Sequence, residues 1–118
     1  MPAILAWAMC GRFTQRYTWE EVQAFLRLAG PAPNLRPRYN VAPGQKIAAV
    51  RASDDGRRLS MLRWGLIPSW AREPNIGYKL INARAETASA KPSFRAAWRA
   101  RRCLIPADGF YGYQAARR

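Results

Sequence analysis

The sequence predicts an α+β fold in which strands dominate, arranged as a curled sheet or open β-barrel with two flanking helices. Three observations predict this class. The length of 118 residues suits one small domain. Hydrophobic residues make up 49 % of the chain, including five Trp, five Tyr and four Phe, which is enough for a packed core and unlike a disordered segment. Several short apolar segments bounded by Gly, Pro and Asp have the length of strands, whereas only two segments have helical spacing.

The first two predicted elements are a strand and a helix. Residues 10–15 predict the strand, with Phe13 on its inner side. Thr18 followed three residues later by Glu21 is a capping box, so the helix begins after Thr18. Its apolar residues keep the spacing of one helical face and are Val22, Phe25, Leu26 and Ala29. The Gly-Pro pair at 30–31 ends the helix.

The remaining elements alternate between loops and short strands, with one further helix. In chain order they begin with a Pro-rich loop at 31–43, a hairpin of strands 47–50 and 59–64 around the turn 54–56, and a loop at 68–74 that contains Trp70. They continue with a short strand at 80–84, a second helix whose first turn contains Pro92, a buried strand at 103–106, a turn at 108–109 and a strand that begins at Phe110. Phe94 and Trp98 share one face of the second helix.

The charge of the chain favours a polyanionic partner. Lys and Arg number 20 against seven Asp and Glu, which gives a formal net charge of +13. On one small domain such an excess is typical of proteins that bind nucleic acid. The alternative is a solvated surface with scattered arginines, and composition does not decide between the two.

The absence of histidine limits the chemistry that this chain can perform by itself. It removes the commonest general base and zinc ligand, and with them any Ser-His or Cys-His pair within the chain. The two cysteines, Cys10 and Cys103, are too few for a disulfide framework or a metal site, so we expect no metal and a reducing, cytoplasmic setting. The apolar segment 3–8 is too short to span a membrane and lacks the basic start of a signal peptide, so we expect no membrane association.

Cys10 directly follows Met9, a second methionine that can serve as an initiator. If translation starts at Met9, or if the preceding residues are removed, Cys10 becomes an N-terminal cysteine. Its amine and thiol can then capture an aldehyde, first as a Schiff base and then as a five-membered ring that contains both nitrogen and sulfur. The nitrogen of an internal cysteine is an amide and cannot do this. We therefore interpret residues 1–8 as an extension that is removed or as a wrongly assigned start.

Four segments concentrate the residues that carry chemistry. They are Cys10-Gly11-Arg12-Phe13, Arg38-Tyr39-Asn40-Val41-Ala42-Pro43-Gly44, Trp64-Gly65-Leu66-Ile67-Pro68-Ser69-Trp70 and Ile81-Asn82-Ala83-Arg84-Ala85-Glu86-Thr87. Together with the segments 103–106 and 107–111, in this order and at this spacing, they resemble the SOS response-associated peptidase (SRAP) family of abasic-site processing proteins. The resemblance covers residues 9–111, as the N-terminal part of an SRAP domain, and leaves 112–118 as a divergent tail.

The resemblance implies an SRAP-type fold and a role in DNA damage. Proteins of this family bind single-stranded DNA, or junctions of single and double strands, at abasic sites whose opened sugar is an aldehyde. Their N-terminal cysteine forms a thiazolidine with that aldehyde, which gives a stable covalent DNA–protein crosslink. They are also regarded as self-processing peptidases that expose the cysteine, and they need no metal or organic cofactor. The resemblance thus implies single-stranded DNA with abasic sites as the partner, and we expect the protein to be a monomer.

The resemblance also assigns the site residues. Cys10 would supply the amine and the thiol, and Asn82 would lie beside the sugar as the second catalytic residue. The residues expected to contact DNA are Arg12, Asn40, Pro43, Gly44, Trp70 and Arg84. Planar guanidinium groups suit phosphate, and an indole ring suits stacking on a base. Other interpretations stay open: a small buried cysteine, a turn-forming asparagine, a plain turn at the Pro-Gly pair, and solvated surface arginines.

The sequence departs from the family pattern after Tyr111. The resemblance implies a catalytic glutamate at the position that Gly112 occupies and a histidine further along, whereas this chain contains no histidine. A carboxylate at residue 112 would act as the general acid or base around the Schiff base. We therefore expect a truncated or frameshifted domain in which aldehyde capture is slow. The alternative function is that of an inactive remnant that binds nucleic acid non-specifically.

Overall fold

Two antiparallel sheets and three short helices make up the part of the chain that the computed structural model describes, residues 9–31 and 33–113. The strands are β1 (Met9–Gln15), β2 (Arg38–Val41), β3 (Lys46–Ser53), β4 (Gly56–Arg63) and β5 (Gly109–Tyr113). The helices are α1 (Trp19–Leu26), α2 (Ala85–Ala88) and α3 (Arg95–Ala100), and a 3-10 helix spans Pro74–Tyr78. This arrangement confirms the predicted α+β class. The predicted extension at 1–8 and most of the predicted tail, 114–118, lie outside the described residues.

The described strands form two sheets rather than one. β1 lies at the centre of the first sheet, between β2 and β5, and both pairings are antiparallel. β3 and β4 form the second sheet, a hairpin whose turn at 54–55 lies within the predicted turn at 54–56. Its register runs without a break from the Lys46/Arg63 pair to the Ser53/Gly56 pair. Within the described residues, no strand ladder closes the two sheets into a barrel.

The first half of β3 is deeply buried and separates two apolar clusters. Its residues 47–50 are each at most 3 % exposed. Val50 packs on the α1 side, in a cluster formed by Trp19, Val22, Leu28 and Val50. Ile47 packs on the side of the first sheet, in a cluster formed by Phe13, Val41 and Ile47. Because residues three apart on a strand point to opposite faces, β3 is covered on both sides.

A buried glutamine connects the two sheets. Gln15, the last residue of β1, is 3 % exposed. Its amide nitrogen donates to the carbonyl of Ala48 in β3 at 3.1 Å and to the carbonyl of Pro106 at 3.0 Å. Its amide oxygen accepts from the N–H of Ala48 at 3.4 Å. Pairing of this kind is what allows a polar side chain to remain in an apolar interior.

α1 begins where the sequence predicts and ends earlier. Thr18 is the N-cap, and its hydroxyl oxygen accepts from the N–H of Glu21 at 3.2 Å, which confirms the predicted start. The helix stops at Leu26 because Arg27 adopts a left-handed conformation with a φ of 53°. A left-handed residue just after the last turn is a common way for a helix to end.

The apolar face of α1 differs from the predicted one. Trp19 and Val22 are buried, and Leu26 packs against the same cluster. These three residues lie on one stripe of the helix, because their spacing of three and four residues brings them to the same side. Phe25 lies beside that stripe and is 86 % exposed, so its predicted burial is wrong. Ala29 lies beyond the helix.

Two predictions in the middle of the chain are wrong because they concern non-local pairing. Residues 38–41 of the predicted loop pair with β1 and form β2. The predicted strand at 80–84 has irregular backbone and leads into α2. A strand needs a neighbour to supply its hydrogen bonds, and no ladder to 80–84 exists among the described residues.

Two predictions near the end of the described residues are also wrong. The predicted buried strand at 103–106 pairs with β3 at a single bridge, between Leu104 and Val50, and it is largely exposed. The segment is therefore not part of a strand ladder, and Leu104 and Ile105 are 60 % and 45 % exposed. The second predicted helix is present as α3 and only its predicted start is wrong, because residues 92–94 form turns and the helix begins at Arg95.

Candidate nucleic-acid interface

The first predicted site segment lies on β1, in the middle of the first sheet. The Cα of Cys10 is paired with that of Gly112 in β5, and Arg12 is paired with Tyr111. The register shifts between Cys10 and Arg12, so a bulge surrounds Gly11. Residue 112, where the family resemblance implies a glutamate, therefore lies directly across from Cys10. The side chain of Cys10 is outside the described part of the structure.

Arg12 and Asn40 are two predicted site residues that the structure brings into direct contact. Nη1 of Arg12 donates to Oδ1 of Asn40 at 3.0 Å, and both side chains are exposed. The contact exists because β2 pairs with β1, and the sequence did not predict β2. It restrains the orientation of the guanidinium plane. Such a planar, oriented cation suits a phosphate.

The Pro43-Gly44 loop is shaped by contacts within the protein. Gly44 has a φ of +86°, and its N–H donates to the carbonyl of Trp64 at 2.8 Å. A Cβ at this position would lie 2.7 Å from Cε1 of Tyr78. The left-handed φ favours glycine here, and an added Cβ would in addition force the exposed Tyr78 ring to shift. The contact of this loop with DNA stays a prediction.

Trp64 connects the first sheet to the segment that contains Asn82. Its ring packs against that of Phe13, with 5.1 Å between ring centroids. Its Nε1 donates to the carbonyl of Ile81 at 3.0 Å. Because Phe13 follows Arg12 and Ile81 precedes Asn82, one half-buried indole ring positions two predicted site segments. Asn82 itself is exposed.

Trp70 and Arg84 lie on loops further along the chain. Trp70 is 57 % exposed, and its Nε1 makes a long hydrogen bond of 3.4 Å to the carbonyl of Pro92. Arg84 is the N-cap of α2, where its carbonyl accepts from the N–H of Ala88 at 2.9 Å and its side chain is exposed. Both hydrogen bonds have their donor and acceptor within residues 70–92. They do not connect Trp70 or Arg84 to the Arg12/Asn40 pair on β1 and β2.

Asp108 has a structural role that the sequence did not reveal, since it indicated only a turn. Asp108 accepts from the hydroxyl of Thr14 at 2.8 Å and from Nε of Arg16 at 2.7 Å. Burial alone would raise the pKa of Asp108, but hydrogen bonds from Arg16 and Thr14, with the charge of Arg16, lower it to about 2. These contacts join β1 to the start of β5. The partners are 92 and 94 residues apart, so no local pattern could reveal them.

Two kinds of site are absent from the described ranges. Within residues 9–31 and 33–113, no group of three or more His, Cys, Asp or Glu is placed to hold a metal ion. In the same ranges, no helix combines the length and the apolar character needed to cross a membrane. The described residues instead present exposed arginine, asparagine and tryptophan side chains. The chemistry of guanidinium groups suits phosphate, and that of indole rings suits stacking on bases.

Comparisons with known proteins connect these features to one family. The family model described as SOS response associated peptidase (SRAP) matches residues 9–118. The chain is 47 % identical over 108 residues to the abasic site processing protein YoaM of Bacillus subtilis, and 37 % identical over 111 residues to the abasic site processing protein YedK of Escherichia coli. Each alignment covers 90 % of this chain and 48 % of the relative. The chain thus spans about half the length of these curated relatives.

A vertebrate relative and a solved structure extend the likeness. The abasic site processing protein HMCES of Xenopus tropicalis is 34 % identical over 97 residues, which cover 72 % of this chain and 29 % of that protein. A crystal structure of a protein from Bordetella bronchiseptica has a TM-score of 0.70 and 29 % identity to this chain, covering 86 % of it and 50 % of the crystallised chain. With the family model matched from residue 9 onward and the four motifs present in order, the chain belongs to the SOS response associated peptidase (SRAP) family.

Proposed function

We propose that this chain recognises abasic sites in single-stranded DNA and links itself covalently to them through Cys10. The observation that carries the proposal is the Arg12/Asn40 pair, an exposed and oriented guanidinium two residues from Cys10 on β1. Further support comes from three relatives, from Bacillus subtilis, Escherichia coli and Xenopus tropicalis, which are each named abasic site processing proteins.

The reaction requires Cys10 at the N-terminus. The free amine attacks the aldehyde carbon of the opened sugar, and loss of one water gives a Schiff base. The thiol sulfur then adds to the C=N carbon while its proton moves to the nitrogen, which closes a thiazolidine ring. The net change is gain of the DNA and loss of one water. The proposal therefore includes removal of the residues before Cys10, either by self-processing or by translation from Met9 and loss of that methionine.

The other predicted site residues would position the DNA. The guanidinium of Arg12 would bind a phosphate next to the lesion, and the amide of Asn82 would donate to an oxygen of the sugar. Trp70, which is exposed on its loop, would stack on a neighbouring base, an interaction worth about 1–3 kcal/mol. Asn40 supports Arg12 through their hydrogen bond. The exposed Arg84 would add a second phosphate contact.

The proposal also covers the state of the protein. We expect a monomer that acts in the cytoplasm and prefers single-stranded DNA. We further expect the two sheets to belong to an open β-barrel of the SRAP type. The likeness to the Bordetella bronchiseptica structure supports this architecture.

Mass spectrometry of the intact protein tests the proposal. The purified chain is mixed with a single-stranded oligonucleotide that carries one abasic site. A chain that begins at Cys10 should gain the mass of the oligonucleotide minus one water, whereas Cys10→Ala should gain nothing. The matched control is Cys103→Ala, which removes the other, exposed cysteine and should crosslink as the parent does.

Two outcomes would contradict covalent capture. The first is an equal yield of crosslink with Cys10→Ala. The second is a parent chain that begins at Cys10, binds the oligonucleotide and gains no mass. That second result would favour a non-covalent nucleic-acid-binding remnant, the other candidate function, which is supported by the net charge of +13.

A further inference from the structure

A second basic surface lies between the β3–β4 hairpin and the end of α3. It is a cleft of about 580 Å³. Five arginines line it, and they are Arg51, Arg58, Arg63, Arg101 and Arg102. The first three belong to β3 and β4, whereas the last two directly follow α3. None of the five is among the residues that the family resemblance assigns to the interface.

The charge of this cleft is not balanced by its own walls. None of its described lining residues is acidic, and Ser60 adds a hydroxyl group that can donate to an anion, whereas the hydroxyl of Ser53 already donates to Asp55. Arg51 stands directly opposite Arg58 in the β3–β4 register, and like charges so placed destabilise a hairpin. Arg58 also pairs with Asp55 at the turn, but that pair is exposed and hence weak. An anion bound in the cleft would reduce the repulsion between Arg51 and Arg58.

The cleft is connected to the candidate interface through Arg63. Its guanidinium carbon lies 5.3 Å from the ring centroid of Tyr78. The same ring packs against Gly44, in the loop that is predicted to contact DNA. Across the cleft, the guanidinium carbon of Arg102 lies 4.9 Å from the ring centroid of Trp98. Stacking on these rings restricts both cations, which lowers the entropy lost when they bind a ligand.

We propose that this arginine cleft binds the phosphate backbone of the single-stranded DNA outside the lesion, as a second contact surface. The inference rests on the proposed function for the kind of nucleic acid, and on the cleft itself for the site. Guanidinium groups on two facing walls, with the Ser60 hydroxyl beside them, suit consecutive phosphates, because a strand carries one negative charge per nucleotide. The contact carries no sequence information, since it does not reach base edges.

Salt-dependent binding to an undamaged oligonucleotide tests the inference. The probe is a fluorescent single strand without an abasic site, titrated by anisotropy between about 50 and 200 mM salt. Arg51→Gln with Arg101→Gln removes one charge from each wall of the cleft. Each phosphate contact on a single strand contributes about 0.7 to the slope of log K against log salt, so this double variant should lose about 1.4 from the slope.

Two further double variants make the result specific. Arg36→Gln with Arg99→Gln removes the same charge from exposed arginines outside the described lining, and it should keep the parent slope. Arg51→Lys with Arg101→Lys keeps the charge and should also keep the slope, which controls for disturbance of the fold. Equal losses in the cleft variant and the Arg36/Arg99 variant would overturn the inference, as would an unchanged slope in the cleft variant.

The outcome is independent of covalent capture. The probe has no aldehyde, so Cys10 takes no part in the measurement. A cleft-dependent slope together with no crosslink to an abasic oligonucleotide would contradict the proposed chemistry alone. A crosslink to the abasic oligonucleotide, together with a salt slope on the undamaged strand that is the same in the parent and the cleft variant, would contradict the second contact surface alone.

Discussion

The identity of residue 112 determines whether a side chain that can transfer protons lies across from Cys10. Its Cα is paired with that of Cys10 across β1 and β5. Side chains at directly paired positions have Cβ atoms about 4.5–5.5 Å apart. A carboxylate at residue 112 would therefore reach the amine of an N-terminal Cys10, whereas glycine offers no group for proton transfer.

Gly112→Glu should speed the capture of an abasic aldehyde by a chain that begins at Cys10. General acid–base catalysis typically contributes about 10²–10⁴ in rate, and we expect at least the lower part of that range, about 10², in the rate of crosslinking. Crosslinked product is separated by gel electrophoresis after quenching at a series of times. Gly112→Gln has nearly the same shape and cannot transfer a proton at neutral pH. An equal gain with Gln would show that side-chain bulk, and not proton transfer, is responsible.

Gly44→Ala should lower the free energy of unfolding by about 1–3 kcal/mol, measured by urea denaturation. Two causes combine here, a φ of +86° and a Cβ placed 2.7 Å from the Tyr78 ring. Gly30→Ala is the matched control, because Gly30 has a φ of +94° but no neighbouring atom within 4 Å of the added Cβ. The control should thus show the backbone effect alone. Equal losses in the two variants would mean that the tyrosine ring moves aside without penalty.

At the scale of elements, one carboxylate joins β1 to β5. The pKa of Asp108 falls from an ordinary 3.8 to about 2 in the folded chain, where burial opposes the shift and hydrogen bonds from Arg16 and Thr14 cause it. Since the folded pKa lies below the unfolded one, the ionised group stabilises the fold at any pH above about 4. This stabilisation is lost as the pH falls from about 4 to about 2.

Asp108→Asn should therefore be less stable than the parent at pH 7, and the difference should shrink as the pH falls to about 2. The measurement is urea unfolding of both proteins at several pH values. A difference that stays constant over this interval would show that Asp108 acts through its shape and not through its charge.

The elements also show which structure a sequence can reveal. The start of α1 is predicted correctly because the signal, Thr18 with Glu21, lies within four residues and acts locally. β2 is missed because its strand conformation depends on β1, and the loop sequence around it contains several prolines. The direct contact between Arg12 and Asn40 depends on that same pairing. The prediction that both are site residues came only from the family motifs.

For the whole molecule, the class and the family were predictable, whereas the way the sheets join was not. Apolar content and strand-length segments are sufficient to indicate an α+β domain. Gln15, by contrast, has the sequence character of a surface residue and yet is buried between the sheets, with partners 33 and 91 residues away. Leu104 and Ile105 show the reverse, because they predict burial and are 60 % and 45 % exposed. The burial of a segment depends on which other segments pack against it, and the spacing of apolar residues within the segment does not specify those partners.

The pairing at the start of β1 has a kinetic consequence. Met9 is paired with Tyr113 and Cys10 with Gly112, so the bond between Met9 and Cys10 lies inside a two-strand ladder. Peptidases bind their substrates as free extended segments, and a strand held in a sheet is closed to them. Cleavage by any external enzyme would have to wait until this end of β1 separates from β5, a local opening that requires far less free energy than global unfolding. If the residues before Cys10 are removed after folding, as proposed above, the frequency of that opening would set how soon the amine of Cys10 becomes free.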